Sequence, residues 1–220
     1  MATGSAGAPR PDGGLADTSA RTSGLADLSA PRPVVAHTVL HEGRVWDLVS
    51  DEVDLGESTV VREWVRHPGA VAVIALDDDD RVLLLSQYRH PVLSELWEPP
   101  AGLLDVVGEP HVVAAARELA EEADLVAESW WRLVDVYTTP GGSSERIVVF
   151  LARGLTPVPE DERYERTEEE ASMVPTWIPL DEAVDAVLAG RLHSPTTVTG
   201  VLAAAAARAR GWSSLEAVTL

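Results

Sequence analysis

Arg117 is followed at once by Glu118 and then by Glu121 and Glu122. On a helix these three glutamates stand at i, i+3 and i+4, so their carboxylates share one face. A helix gains nothing from that crowding. Like charges at this spacing cost about 0.2–0.5 kcal/mol per pair on a solvated surface. Partly buried carboxylates ~6 Å apart repel by ~3 kcal/mol at an effective dielectric of ~20. A hard divalent cation reverses the sign, because Mg²⁺ and Mn²⁺ favour carboxylate oxygens. The chemistry this face offers is the holding of a hard divalent cation; the plain alternative is an exposed, alanine-rich acidic helix.

The elements that must position this face can be read around it. Pro110 suits the first turn of a helix, where its missing N–H costs nothing. Val112, Ala115, Ala116, Leu119 and Ala123 form an apolar stripe with helical spacing. That stripe packs the helix on a sheet and leaves the glutamates facing a cleft. Arg117 precedes Glu121 by four and can hold it. Upstream, residues 69–76 and 81–88 read as two apolar strands joined by four aspartates at 77–80. That acidic run lacks the spacing of an EF-hand loop and reads as a solvated hairpin turn. Residues 130–137 and 146–152 read as two more strands around a turn-rich connector at 139–145. A strand at 175–178 and helices at 180–189 and 196–210 complete the body.

Residues 34–66 alternate apolar and polar residues in three short runs, a small antiparallel sheet that is marginal alone and must pack on something, a second subunit included. Residues 1–33 are rich in Ala, Gly, Ser, Thr, Pro and Arg, repeat GLAD at 14–17 and 24–27, and read as a disordered tail. The expected organisation is a tail at 1–33, a small β domain at 34–66 and a main domain at 67–220.

Composition narrows the function. The 220 residues carry a net charge of −19, which repels nucleic acid and anionic membranes. All 17 basic residues are arginine, so no lysine base, Schiff base or phosphate-loop lysine is available. Cysteine is absent, which excludes disulfides, thiolate zinc sites and a cysteine nucleophile. The six histidines show no HExxH spacing. No apolar leader or membrane span is evident, and a cytoplasmic protein is expected.

The stretch Gly102, Glu109, Arg117, Glu118, Leu119, Glu121, Glu122 and Leu125 resembles the signature of the Nudix hydrolases, G-x5-E-x7-R-E-U-x-E-E-x-G-U. Two departures stand out: one extra residue between Gly102 and Glu109, and Asp124 in place of the final glycine. An insertion in a loop is tolerated, and aspartate is among the few residues that accept a left-handed backbone at a helix end. The segments LLSQYRHPV, LWEPPAGLLD and YTTPGGSSERIVVFLARGL are similar to the ADP-ribose pyrophosphatase branch, and the likeness spans most of residues 40–205.

The resemblance implies an α+β fold, an α/β/α sandwich with a mixed sheet, preceded by a β domain exchanged across a homodimer. It implies cleavage of ADP-ribose to AMP and ribose 5-phosphate, or of a related nucleoside diphosphate sugar. Other dinucleotides (NADH, GDP-mannose, a diadenosine polyphosphate) and a non-catalytic nucleotide sensor are the alternatives, the last disfavoured by the intact glutamates. Glu118, Glu122 and Glu121, with the Ala101 carbonyl, are the implied ligands of Mg²⁺ or Mn²⁺, with Glu118 and Glu122 central to catalysis. Glu109 is expected to support Arg117. The implied general base lies in the loop at 168–170, with Glu170 or Glu169 chosen; three consecutive glutamates otherwise read as a solvated loop. Arg89 is expected on the diphosphate, Glu98 on a substrate hydroxyl, Glu145 in the same cleft and Trp46 against adenine.

Overall fold

The computed structural model describes residues 25–165 and 173–220. Its centre is a five-stranded mixed sheet in the order β11-β8-β9-β4-β7. The strands are β4 (Ala70–Ala75), β7 (Ala101–Leu103), β8 (Leu125–Tyr137), β9 (Arg146–Pro157) and β11 (Glu216–Val218). β4 and β9 run parallel, from Ala70 beside Ile147 to Ala75 beside Ala152, and the other pairs are antiparallel. Every residue of β4 is buried, as an unbroken apolar run in a sheet covered on both faces should be.

Alternate residues of β4 serve opposite cores. Val71, Val73 and Ala75 meet Val112, Ala115 and Leu119 of helix α1 (His111–Ala123). Ala72 and Ile74 meet Leu180, Ala183, Val201 and Ala204 of α2 (Leu180–Leu188) and α3 (Pro195–Ala209). This is the expected α/β/α sandwich. α3 lies close on β4 because Gly200 carries no side chain: a Cβ there would stand 2.7 Å from Ile74 Cδ1.

The apolar stripe of α1 is met with one substitution. Ala114 is sealed, whereas Ala116 is only partly buried. The helix ends where glycine was missing. Asp124 takes φ 54° and ψ 37°, its N–H bonds Ala120 O, and its carbonyl accepts from Val158 N at 2.8 Å.

Two other sheets flank this body. β1 (Val34–Glu42), β2 (Asp47–Asp54) and β3 (Thr59–Arg66) form an antiparallel meander at the expected place. β5 (Arg81–Arg89) lies between β6 (Ser94–Glu98) and β10 (Thr176–Pro179). This corrects the hairpin expected at 69–88. β4 and β5 meet only through the bridge Leu76–Val82 and then enter different sheets. The turn at 77–80 is where the chain changes layers, and it is cross-linked rather than merely solvated. Asp77 Oδ1 accepts from Asp79 N and Arg81 N, and Arg153 Nη2 reaches Asp80 Oδ1 at 2.7 Å. Burial acts to raise the Asp77 carboxyl, but the Arg81 backbone and guanidinium win and hold it below its usual value. Among the described residues no helix is long and apolar enough to cross a membrane.

Candidate active site

The extra residue of the signature falls in the loop that joins β7 to α1, around Gly108. α1 therefore still runs back beside β7 and delivers its glutamates to that strand. Ala101 N–H donates to Glu122 Oε2 at 2.9 Å. Glu118 packs its carboxylate on Gly102, where any Cβ would stand 2.0 Å from Glu118 Cδ. Glycine leaves that space open, whereas a Cβ would make the Glu118 carboxylate shift, which gives Gly102 a reason beyond turn formation.

Arg117 binds the cluster from the other side. Its Nη1 donates to Glu118 Oε1 at 2.6 Å and to Glu121 Oε2 at 3.2 Å, while Nη2 reaches Glu109 Oε2 at 3.3 Å. Glu109 and Arg117 thus meet as the resemblance implies. Burial disfavours the Arg117 charge, but Glu109, Glu118 and Glu121 more than offset it and raise its pKa. Burial raises the Glu118 carboxyl pKa; Arg117 opposes that shift, and Glu121 and Asp105 add to it.

The donor set suits a hard divalent cation. It is all oxygen, it is carboxylate-rich, and one member, Glu118, is held buried against its preference for water. The set is closed on Arg117, and among the described residues no three His, Cys, Asp or Glu side chains stand grouped as a finished metal cage. Glu118, Glu121, Glu122 and Ala101 are the groups that would hold the ion.

A cleft of ≈ 610 Å³ lies along β7 and gathers Trp46, Arg89, Glu98, Ala101, Gly102 and Glu145 among its lining. All four side chains expected near a substrate therefore converge, although 99 residues separate Trp46 from Glu145. The α1 glutamates are not among that lining; Glu122 and Glu118 touch Ala101 and Gly102 of β7, which are. Arg89 Nη2 pairs with Glu98 Oε2 at 2.5 Å along the β5–β6 hairpin. Trp46 is in the turn between β1 and β2, not on a strand, and is 46% exposed. Glu145 Oε2 accepts from Thr138 Oγ1 at 2.5 Å. The chosen bases, Glu169 and Glu170, lie outside the described residues.

Sequence reasoning missed His67, Thr138, Ser194 and Thr196, which also line the cleft. His67 Nδ1 accepts from Gly69 N–H at 3.0 Å, so the neutral ring carries its proton on Nε2, 3.7 Å from Glu145 Oε1. The loop bearing Glu145 is stitched to β3: Val65 N donates to Gly142 O and Ser144 N to Val65 O. No motif marks these residues; only the fold brings them together.

The model of the NUDIX domain matches residues 66–197. An ADP-ribose pyrophosphatase of Mycobacterium tuberculosis is 45% identical over 170 residues, 77% of this chain and 81% of that protein. A methanol dehydrogenase activator of Bacillus methanolicus is 36% identical over 163 residues, 74% of this chain and 86% of that protein. A crystal structure of an ADP compounds hydrolase superposes with a TM-score of 0.68 at 19% identity, over 84% of this chain and 99% of that one, a likeness of fold. The glutamate cluster under β7, the sandwich that builds it and these matches lead to one conclusion: the chain belongs to the NUDIX family.

Proposed function

We propose that this protein is a cation-dependent diphosphatase that cleaves ADP-ribose, or a related nucleoside diphosphate sugar, to AMP and a sugar phosphate. One observation carries the reading: a half-buried carboxylate cluster on α1 abuts the strand that floors a cleft lined by Trp46, Arg89, Glu98 and Glu145. The Mycobacterium tuberculosis relative, similar over most of both chains, supports ADP-ribose as substrate.

Mg²⁺, with Mn²⁺ as the alternative, is the cation we assign to Glu118, Glu121, Glu122 and Ala101. It supplies charge neutralisation and an acidified water. The chain's own groups do the rest. Glu109 anchors Arg117, and Arg117 orients Glu118 and Glu121. The Ala101 N–H fixes Glu122. Arg89, aligned by Glu98, offers a guanidinium to phosphate oxygens. Trp46 presents an aromatic face for a base, and Glu145 an acceptor for a sugar hydroxyl. Glu170 or Glu169 takes the proton of the attacking water.

We also propose a cytoplasmic homodimer in which the 34–66 sheet forms the contact. β1 is exposed along all nine residues and shows Val35, Val39 and Leu40 to solvent; covering such a patch is the ordinary use of a second copy. The test of function is a panel of dinucleotides and nucleotide sugars with Mg²⁺, read for AMP by chromatography. ADP-ribose is expected to lead; no AMP from any member at saturating cation refutes the reading. Light scattering tests the dimer, and a monomer at assay concentration refutes it.

A further inference from the structure

The cleft is poor in donors for the anion it is proposed to hold. Its lining has two carboxylates, Glu98 and Glu145, against one guanidinium, Arg89, and that guanidinium is already paired with Glu98. His67 is pinned as an acceptor at Nδ1 by Gly69 N–H and adds no fixed positive charge. A diphosphate entering here needs other donors.

The opposite face of the sheet from α1 supplies them. α3 is 15 residues long and begins in the cleft, which Ser194, Pro195 and Thr196 line. The start of a helix carries the positive end of its dipole and first-turn N–H groups without intrahelical acceptors. Ser194 holds the N-cap position, yet its side chain makes no cap hydrogen bond. Ser194 is 2% exposed and Thr196 8% exposed. Neither hydroxyl has a hydrogen-bond partner among the described residues, whereas their neighbours' hydroxyls are engaged: Thr197 Oγ1 donates to Trp97 O and Thr199 Oγ1 to Pro195 O, both at 2.6 Å. Among the described residues no side-chain oxygen or nitrogen is both sealed from solvent and unpartnered. The two free hydroxyls therefore reach solvent, and the opening that both residues share is the cleft. Two nearly buried hydroxyls at a helix N-terminus, unspent on the protein, are an anion site in chemistry and position.

We propose that Ser194, Thr196 and the first turn of α3 form a second phosphoryl-binding wall, which donates hydrogen bonds to non-bridging oxygens of the substrate diphosphate from across the sheet. The assignment rests on the diphosphatase reading, and the experiment separates the two. Inorganic phosphate and AMP are titrated into cation-free full-length protein while the backbone amides of Thr196 and Thr197 are followed by NMR; steady-state kinetics with ADP-ribose and Mg²⁺ run in parallel. Both ligands should shift these amides. The pair Ser194→Ala with Thr196→Val should weaken AMP binding and raise KM by about tenfold, the worth of one hydrogen bond to a charged group. Thr196→Ser, which keeps the hydroxyl, should behave as wild type; loss of the phosphate response there too would assign the effect to packing and overturn the site. Thr199→Ala, on the same helix with its hydroxyl turned to Pro195, should change neither reading. Amide shifts that vanish in the double variant support the anion site even if wild type cleaves no nucleoside diphosphate, which would sink only the reaction. Hydrolysis with unchanged KM and unshifted amides sinks the site and leaves the reaction standing.

Discussion

Two acidic clusters in this molecule look alike in sequence and do opposite things. The turn at 77–80 holds four aspartates, and α1 holds three glutamates on one face. In the turn, Asp77 and Asp80 are satisfied by Arg81, Arg153 and the turn's own N–H groups. Asp79 stays in solvent, its side chain 81% exposed. On α1, Glu118 and Glu121 share one arginine that also holds Glu109, and Glu118 is pressed against Gly102 with its pKa raised by burial. Carboxylates matched by arginines lock a corner; carboxylates that outnumber the arginine beside them mark a place that suits a cation. The lesson is that a charge run is read from its partners, not from its length.

That contrast can be broken or sharpened by mutation. The largest effect belongs to Glu122→Gln. Turnover should fall by more than about 100-fold, beyond the roughly 10–100-fold typical of a group that only supports a metal ligand. Circular dichroism should be unchanged; near-normal AMP release would remove α1 from the chemistry.

Glu118→Gln should also abolish turnover, yet it should raise the Tm of cation-free protein at neutral pH by about 2–4 °C, as expected for ~1 kcal/mol in a chain of this size. The sign follows from linkage. The folded pKa of Glu118 lies above its unfolded value, so its ionisation penalises the fold above that pKa, and the penalty fades as pH falls through it. The gain of the variant should fade over the same window. A destabilised variant would mean that Arg117 fully compensates the charge.

Asp77→Asn should show the reverse. Its folded pKa is depressed, so its contribution is complete above the unfolded value and is lost as pH falls through the lower, folded one. The variant should melt below wild type at neutral pH with turnover intact, and the gap should close only in acid beyond the usual aspartate range. The smallest effect should come from Asp80→Asn. Asparagine tolerates the φ of 54° at that position. Only the half-exposed pairing with Arg153 and Arg208 is lost, so urea denaturation should report less than about 1 kcal/mol. A drop in kcat from either aspartate variant would erase the distinction between the clusters.

Much of the architecture was legible because its signals are local. The glutamate triad needs only helical periodicity, and the left-handed Asp124 needs only a backbone preference. The meander at 34–66 and the helices near 180 and 196 follow from period and turn residues. What escaped is short or distant. β6, β7 and β11 have five, three and three residues, too few for a pattern to rise above chance. The hairpin read at 69–88 is a change of sheet.

The sequence by itself determined that an acidic helix with an arginine in its midst follows Gly102, because spacing along one helix settles which side chains share a face. Only the tertiary structure decided that Gly102 has room for the Glu118 carboxylate, that His67 reaches toward Glu145, and that the α3 hydroxyls open on the same cleft as Arg89. Those are meetings between residues from 16 to more than 100 positions apart. Such meetings depend on how two faces of a sheet are covered and where its strands end, and no stretch of chain records that alone.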